Sequence, residues 1–209
     1  ILIIFSEVIC IMQGIILLVL SFIFTYFVSK TTNLKPVANY KNNFEYLPLL
    51  TSNLYADLLI IFITYAGILG TGKSWKILTQ WYKKYRLSAM IADILIGALY
   101  LMAARYIDHK FNLKLDLFKF GVLAVCVQLF FDFLFYLFFS AIPRKKNDML
   151  DMFKEWGKYA KLDALWGDSI LVLVGVILSA YLNQQNFNTN MFWLIFGLYI
   201  TPYIIYMKD

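Results

Sequence analysis

The chain is poor in the residues that soluble enzymes most often use for chemistry. Its 209 residues include one histidine, His109, and two cysteines, Cys10 and Cys126. A lone histidine in a charged loop does not predict a histidine-based metal site. Two cysteines inside apolar runs predict packing residues rather than a disulfide. We therefore expect no catalytic site, no metal site and no bound cofactor, and we predict that the protein is not an enzyme.

Charged residues are also scarce, at 15% of the chain, whereas about a quarter of a typical soluble domain is charged. Hydrophobic residues make up 61% of the sequence, and the mean hydropathy is +0.68. Long apolar runs separated by charged links are typical of a polytopic membrane protein. The net charge of +6 then reflects basic residues beside the spans, and it does not predict nucleic-acid binding.

The apolar runs predict an all-α integral membrane protein that forms one membrane domain over residues 1–209. Residues 1–28 are too long for the apolar core of a signal peptide and lack its basic start, so we expect a first span there. The predicted spans in chain order are 1–28, 47–70, 88–107, 117–142, 168–182 and 191–207.

Two amphipathic segments, 73–86 and 147–164, separate predicted spans. Each has an apolar face with a tryptophan and basic residues on the remaining surface, a pattern typical of helices that lie at a membrane surface. Tryptophans and lysines of these segments and their flanks are the predicted interfacial anchors: Trp75, Trp81, Trp156, Trp166, Lys73, Lys83, Lys84 and Lys158. Arg105, near the end of the third span, is expected to extend its charge to the membrane surface.

A period of 75 residues relates the two halves of the central region. Residues 57–106 and 132–181 share nine identical residues over 50 aligned positions, including paired aspartates, tryptophans and lysines. We predict a parallel internal repeat with units 47–107 and 117–182, related by an axis along the membrane normal. Chance agreement in a biased composition is the alternative.

Basic residues are distributed unevenly across the six-span arrangement. The side with both termini and both amphipathic segments has 12 lysines and arginines, and the other side has seven. The positive-inside rule therefore predicts that both termini are cytoplasmic.

Residues 67–74 match the phosphate-binding pattern G-x-x-x-x-G-K-S, from Gly67 to Ser74. In nucleotide-binding proteins this loop joins a strand to a helix within an α/β sheet. An apolar span precedes it here, so we expect a helix end closed by glycines and no nucleotide binding.

Four aspartates in or beside the spans are the candidate functional residues: Asp57, Asp93, Asp132 and Asp168. An aspartate within a span costs about 2.5–3.5 kcal/mol, so it usually faces a partner or a water-filled cavity. A proton or cation relay and a hydrogen-bonded packing role both remain open for Asp57 and Asp132. The repeat predicts that these two lie around one axis and share one cavity. For Asp168 an N-cap of the fifth span is favoured.

Five segments have distinctive motifs, among them Glu155-Trp-Gly-Lys158 and Leu165-Trp-Gly-Asp168; the segments are 70–76, 81–89, 149–158, 164–169 and the tail 188–203. These segments resemble uncharacterised multi-pass membrane proteins of nucleocytoplasmic large DNA viruses that infect algae and protists. The resemblance implies a virion internal membrane, or a host membrane derived from the endoplasmic reticulum, as the location.

Two classes of function follow. The leading hypothesis is a structural component of a viral internal membrane that contacts lipid headgroups and capsid or other membrane proteins, as a monomer or an oligomer. The alternative is a small proton- or cation-conducting channel or transporter that uses Asp57 and Asp132.

Overall fold

A computed structural model describes residues 2–67, 73–160 and 162–207, without the side chains of residues 2–11, 13, 73, 74, 159, 160 and 162–165. These ranges contain helices and no strand, which confirms the all-α prediction. The helices are α1 (Leu2–Thr31), α2 (Tyr46–Tyr65), α3 (Lys73–Tyr85), α4 (Leu87–Phe111), α5 (Leu117–Ala141), α6 (Asp148–Ala160), α7 (Leu162–Leu182) and α8 (Phe187–Ile205). A 3₁₀ helix, Asn43–Glu45, precedes α2.

Local sequence signals explain several of the helix ends. The Asp116 side chain accepts a hydrogen bond from the backbone N–H of Lys119 at 2.8 Å, and Asn186 caps α8 through Thr189 in the same way. Such N-caps satisfy backbone donors that have no partner inside the helix. Asn112 adopts the left-handed conformation, with φ 50°, and ends α4.

The structure corrects some predicted boundaries. The helix α2 ends at Tyr65 rather than near residue 70, and α4 continues to Phe111 rather than ending near 107. The helix α6 ends at Ala160 rather than at 164, and α7 begins at Leu162 rather than at 168. The early start of α7 is possible because 162–168 contains no helix-breaking proline and continues the apolar pattern of the span. Asp168 therefore lies well inside α7, and the prediction that it caps this helix is wrong.

The helices α2 and α7 lie at the centre of the bundle. The helix α2 packs against α4, α7 and α8, while α7 packs against α1, α2 and α5. The short helices α3 and α6 contact each other at one end of the bundle. One apolar core joins α1, α2, α4, α5 and α7, and a second core joins α2 and α4 to α3, α6 and α8.

The 75-residue period recurs in the helix boundaries. The helix α3 spans 73–85 and α6 spans 148–160, so both of their ends differ by 75 positions. The helices α4 and α7 begin at 87 and 162, which differ by the same number. The helices of the two predicted units also pack on one another. The helix α2 of the first predicted unit lies against α7 of the second, and α4 of the first lies against α5 of the second.

Among the described residues, four helical segments are long and apolar enough to cross a membrane. The qualifying segments are Gly14–Thr31, Asn43–Tyr65, Leu87–Phe111 and Leu117–Ala141, and α7 contributes a shorter apolar stretch, Trp166–Leu182. Many large apolar side chains of α1, α5 and α8 are exposed, whereas soluble monomers rarely expose large contiguous apolar surfaces. These findings fit a membrane protein, and the count of six spans stays a prediction.

A buried ion pair closes the end of the bundle opposite α3 and α6. Arg105 is 1% exposed, and its guanidinium lies 3.3 Å from Glu45 and donates to the backbone carbonyls of Asn39 and Asn42. The Tyr46 ring packs on the same guanidinium, 4.8 Å from its centroid. The prediction that Arg105 extends to the membrane surface is therefore wrong, because the link before α2 folds over it and supplies its acceptors.

Candidate functional site

The four aspartates come from four different helices of the bundle. Asp57 lies on α2 and Asp93 on α4, while Asp132 and Asp168, 75 positions later in each case, lie on α5 and α7. The helix α3 connects α2 to α4, and α6 connects α5 to α7. Because α3 and α6 contact each other, both lie at the same end of the four helices. Each acid is therefore positioned by a helix that packs within the bundle, rather than by a loop.

Asp57 is the most enclosed of the four, with 4% of its surface exposed. The phenol of Tyr82, from α3, donates a hydrogen bond of 3.0 Å to Oδ1 of Asp57. The second oxygen, Oδ2, is buried and has no hydrogen-bond partner among the described residues. A buried polar atom without a partner costs free energy, so this oxygen calls for a functional explanation.

The helix α3 also supplies a donor to Asp93. The indole Nε1 of Trp81 donates to Oδ2 of Asp93 at 3.0 Å, and Trp81 is only 5% exposed. The Tyr82 hydroxyl lies within hydrogen-bonding reach of both Asp93 and Asp57. Two adjacent residues of α3 thus cover both acids of the first unit.

Asp132, in the second predicted unit, has hydrogen-bond donors from α4 and α5 rather than from a short helix. The Tyr100 hydroxyl of α4 donates to Oδ1 of Asp132 at 2.5 Å, and the amide of Gln128, one turn earlier on α5, donates to Oδ2. The Gln128 carbonyl oxygen in turn accepts a hydrogen bond from Ser169 of α7 at 2.8 Å. Gln128 is fully buried, so its amide holds Asp132 in a fixed orientation.

Each of the four acids lies close enough to at least one other acid for their charges to interact, so the four form a connected series. Asp57 lies close enough to Asp93 to interact with it, and Asp168 interacts with both Asp93 and Asp132. The described charges that act on Asp57 and Asp168 are thus other carboxyl groups rather than cations. Asp57 and Asp132 have different hydrogen-bond donors, and the series connects them through Asp93 and Asp168 rather than by a direct contact.

The donors around the carboxyls do not form a metal site. Among the described residues, no group of three or more histidine, cysteine or acidic side chains is arranged to hold a metal ion. The hydrogens of Trp81, Tyr82, Tyr100 and Gln128 point at the carboxyl oxygens. A metal ion would need lone pairs at these positions, so the arrangement suits protons better.

Two of the tryptophans predicted as surface anchors are buried. Trp81 packs its ring 4.8 Å from Phe153 of α6, and Trp166, 8% exposed, lies against Gly14 of α1. Trp75 and Trp156 are partly buried. The apolar faces of α3 and α6 meet each other and the bundle, which buries Trp81, whereas Trp166 of α7 is covered by α1.

The predicted lysine anchors have varied positions. Lys83, Lys84 and Lys158 are exposed, and Lys84 lies 4.0 Å from Asp148 of α6. The side chain of Lys73 lies outside the described residues, and so does most of the glycine-rich segment 67–74.

Sequence reasoning missed the donors to the acids. Tyr82 directly follows Trp81, Tyr100 lies seven residues after Asp93, and Gln128 lies four residues before Asp132. The last two spacings place residues on one helical face, and they are the signals that could have identified Tyr100 and Gln128. Which face of α3 meets the acids depends on tertiary packing.

No protein-family model, curated protein or solved structure matches this chain. The resemblance to viral membrane proteins therefore stays a prediction, and the argument for function depends on the geometry of the acids.

Proposed function

We propose that the chain is a six-span membrane protein whose four aspartates, one buried and three partly buried, bind protons and pass them between the two predicted repeat units. The observation that carries this proposal is Oδ2 of Asp57, which is buried, unpaired and close to a second carboxyl group. An ionised carboxylate in such a place would be very costly without a cation. A bound proton removes that charge, and the next acid in the series can receive it.

The hydrogen-bonded groups supply a route for the proton. A tyrosine hydroxyl can accept a proton on one side while it donates its own on the other. Tyr82 joins Asp57 to Asp93 in this way, and Tyr100 contacts Asp132 beside Asp93 and Asp168. Gln128 cannot readily relay a proton through its amide, so its role is to orient Asp132.

The 75-residue offset between helices supports the same proposal. The shared 75-residue offset of α3 with α6 and of α4 with α7 fits two parallel copies of a three-helix unit. The reciprocal packing of α2 on α7 and α5 on α4 fits a two-fold axis between the copies. Asp93 and Asp168 interact with each other, as expected for equivalent residues that lie near such an axis.

Proton flux into liposomes tests the proposal. Purified protein is reconstituted with a pH-sensitive dye inside, and a potassium gradient with valinomycin imposes a membrane potential. We expect flux with the wild-type chain, loss of flux in Asp57→Asn/Asp132→Asn, and unchanged flux in Asp148→Asn, since the Asp148 side chain is 81% exposed. A wild-type protein that conducts no protons under either polarity would contradict the proposal.

A structural role in a membrane is the second candidate, and the exposed basic residues favour it. Lys84 and Arg144 are 51% and 59% exposed and lie at or beside α3 and α6. Basic residues at a membrane surface attract anionic headgroups or an acidic protein partner. A virion protein of this kind would be present at a fixed ratio to the capsid protein, and quantitative mass spectrometry of purified particles would measure that ratio.

A further inference from the structure

The two repeat units differ in how their short helix meets the central acid. In the first unit, the Trp81 indole donates to Asp93. The repeat counterparts are Trp156 and Asp168, 75 positions later. The indole Nε1 of Trp156 is buried and has no acceptor among the described residues. One tryptophan of the symmetric pair is therefore bonded and the other is not.

The two short helices also differ in a second hydrogen bond, which α3 makes and α6 lacks. The residue after Trp81 is Tyr82, whose phenol bonds to Asp57. The residue after Trp156 is Gly157, which has no side chain to reach Asp132. The helix α3 thus donates two side-chain hydrogen bonds to the acids, whereas Tyr100 and Gln128 serve Asp132 in place of α6.

The two short helices are joined to each other. The Trp81 ring of α3 lies 4.8 Å from the Phe153 ring of α6. A movement of α3 away from its acids would therefore carry α6 with it. For two helices related by a two-fold axis along the membrane normal, a joint sideways shift that lengthens the first indole bond shortens the corresponding distance in the second unit.

We propose that α3 and α6 move as a pair between two positions, and that the Trp156 indole bonds to Asp168 in the second one. The described structure is the first position, in which Trp81 covers Asp93. This inference extends the proposed function, because it assigns the control of the central acids to two alternating indole donors. A buried indole N–H without an acceptor costs free energy, and the second position removes that cost for Trp156 while it creates the same cost for Trp81.

There is room beside Gly157 of α6, next to Trp156. A methyl group added at Gly157 would meet only the Phe139 ring, at 3.8 Å. Phe153 stacks on Phe139 with a centroid separation of 6.3 Å and meets Phe135 edge to face at 5.1 Å. Trp156 is thus a positioning residue for Asp168, and it has no part in covalent chemistry.

Indole signals in a two-dimensional ¹H–¹⁵N spectrum test the inference. The full-length protein is labelled with ¹⁵N-tryptophan in lipid nanodiscs, and each signal is assigned by one Trp→Phe substitution. In Asp93→Asn, which weakens the acceptor but keeps the Trp81 ring, we expect the Trp156 proton signal to move downfield as it gains a carboxyl acceptor. In Asp93→Asn/Asp168→Asn the signal should return towards its wild-type position.

The controls separate this inference from the proposed function. An unchanged Trp193 signal shows that each variant is folded, and Trp81→Phe gives a second way to release α3. A Trp156 signal that stays in place in both Asp93→Asn and Trp81→Phe would overturn the alternating movement. The spectrum requires no proton flux, so a protein that lacks flux but shows the downfield shift would contradict only the proposed function.

Discussion

At the scale of single residues, hydrogen-bond donors explain how three acids, Asp57, Asp93 and Asp132, are held inside the bundle. Tyr82 and Trp81 serve Asp57 and Asp93, and Tyr100 serves Asp132. Each donor offsets part of the cost of removing a carboxyl group from water. The remaining cost falls on Asp57, whose second oxygen has no partner in the described structure.

Removal of the Tyr82 hydroxyl tests this account. Tyr82→Phe keeps the buried ring but leaves both oxygens of Asp57 without a donor, so we expect a loss of about 1–3 kcal/mol in stability. Thermal unfolding in detergent micelles, followed by circular dichroism, measures the loss. Tyr181→Phe is the matched control on α7, because its ring is 53% exposed. Equal melting temperatures for Tyr82→Phe and the control would show that the phenol contributes nothing.

Residue types and spacing identified the acids that lie inside apolar segments, but they did not predict the hydrogen-bond partners of these acids. The sequence placed Asp57, Asp93 and Asp132 inside apolar segments, and the structure keeps them within helices. Arg105 lay near a predicted helix end, where surface exposure is the common outcome. Its burial depends on Glu45 and on carbonyls more than 60 positions earlier in the chain, and no local pattern encodes such a contact.

At the scale of helices, the amphipathic pattern of α3 and α6 predicted their existence and nearly their boundaries. The pattern cannot distinguish an apolar face that contacts lipid from one that contacts another helix, because both bury the same surface. The contact of Trp81 with Phe153 shows that part of these faces is used between the two helices. The N-cap prediction for Asp168 failed for a related reason: the helix continues from Leu162, and Asp168 faces the other acids instead of free backbone donors.

The packing of α1 on α7 gives a prediction at this scale. A methyl group at Gly14 would overlap the Trp166 ring, whereas a methyl group at Gly167 would meet nothing within 4 Å. We therefore expect Gly14→Ala to destabilise the protein by about 1–3 kcal/mol through overpacking. Gly167→Ala should preserve or slightly raise the melting temperature. A Gly14→Ala protein as stable as Gly167→Ala would mean that α1 does not pack on Trp166.

At the scale of the whole molecule, the order of helices implies that successive links alternate between the two ends of the bundle. The short helices α3 and α6 share one end, and the links before α2, after α4 and after α7 lie at the other. Contacts support this grouping, since Arg105 of α4 bonds to the link before α2 and Gln184 bonds to Asn33 of the same link. Basic residues are more numerous at the end with α3 and α6, which favours the cytoplasm for that end.

Labelling of single cysteines from either side of a membrane tests the arrangement. In a chain with Cys10→Ser and Cys126→Ser, we expect Lys84→Cys and Arg144→Cys to react with an impermeant maleimide from the cytoplasmic side. Lys35→Cys, in the exposed link before α2, should react only from the opposite side. Reaction of Lys84→Cys and Lys35→Cys from the same side would rule out the six-span arrangement.

The central claim is that Asp57 carries an exchangeable proton inside the bundle. Infrared difference spectroscopy between H₂O and D₂O tests it directly, because a protonated carboxyl group has a C=O band that a carboxylate lacks and that moves when deuterium replaces the proton. We predict such a band in the wild-type protein in lipid at neutral pH, with a component that disappears in Asp57→Asn and persists in Asp148→Asn. A wild-type spectrum with no protonated carboxyl component that depends on Asp57 would contradict the account.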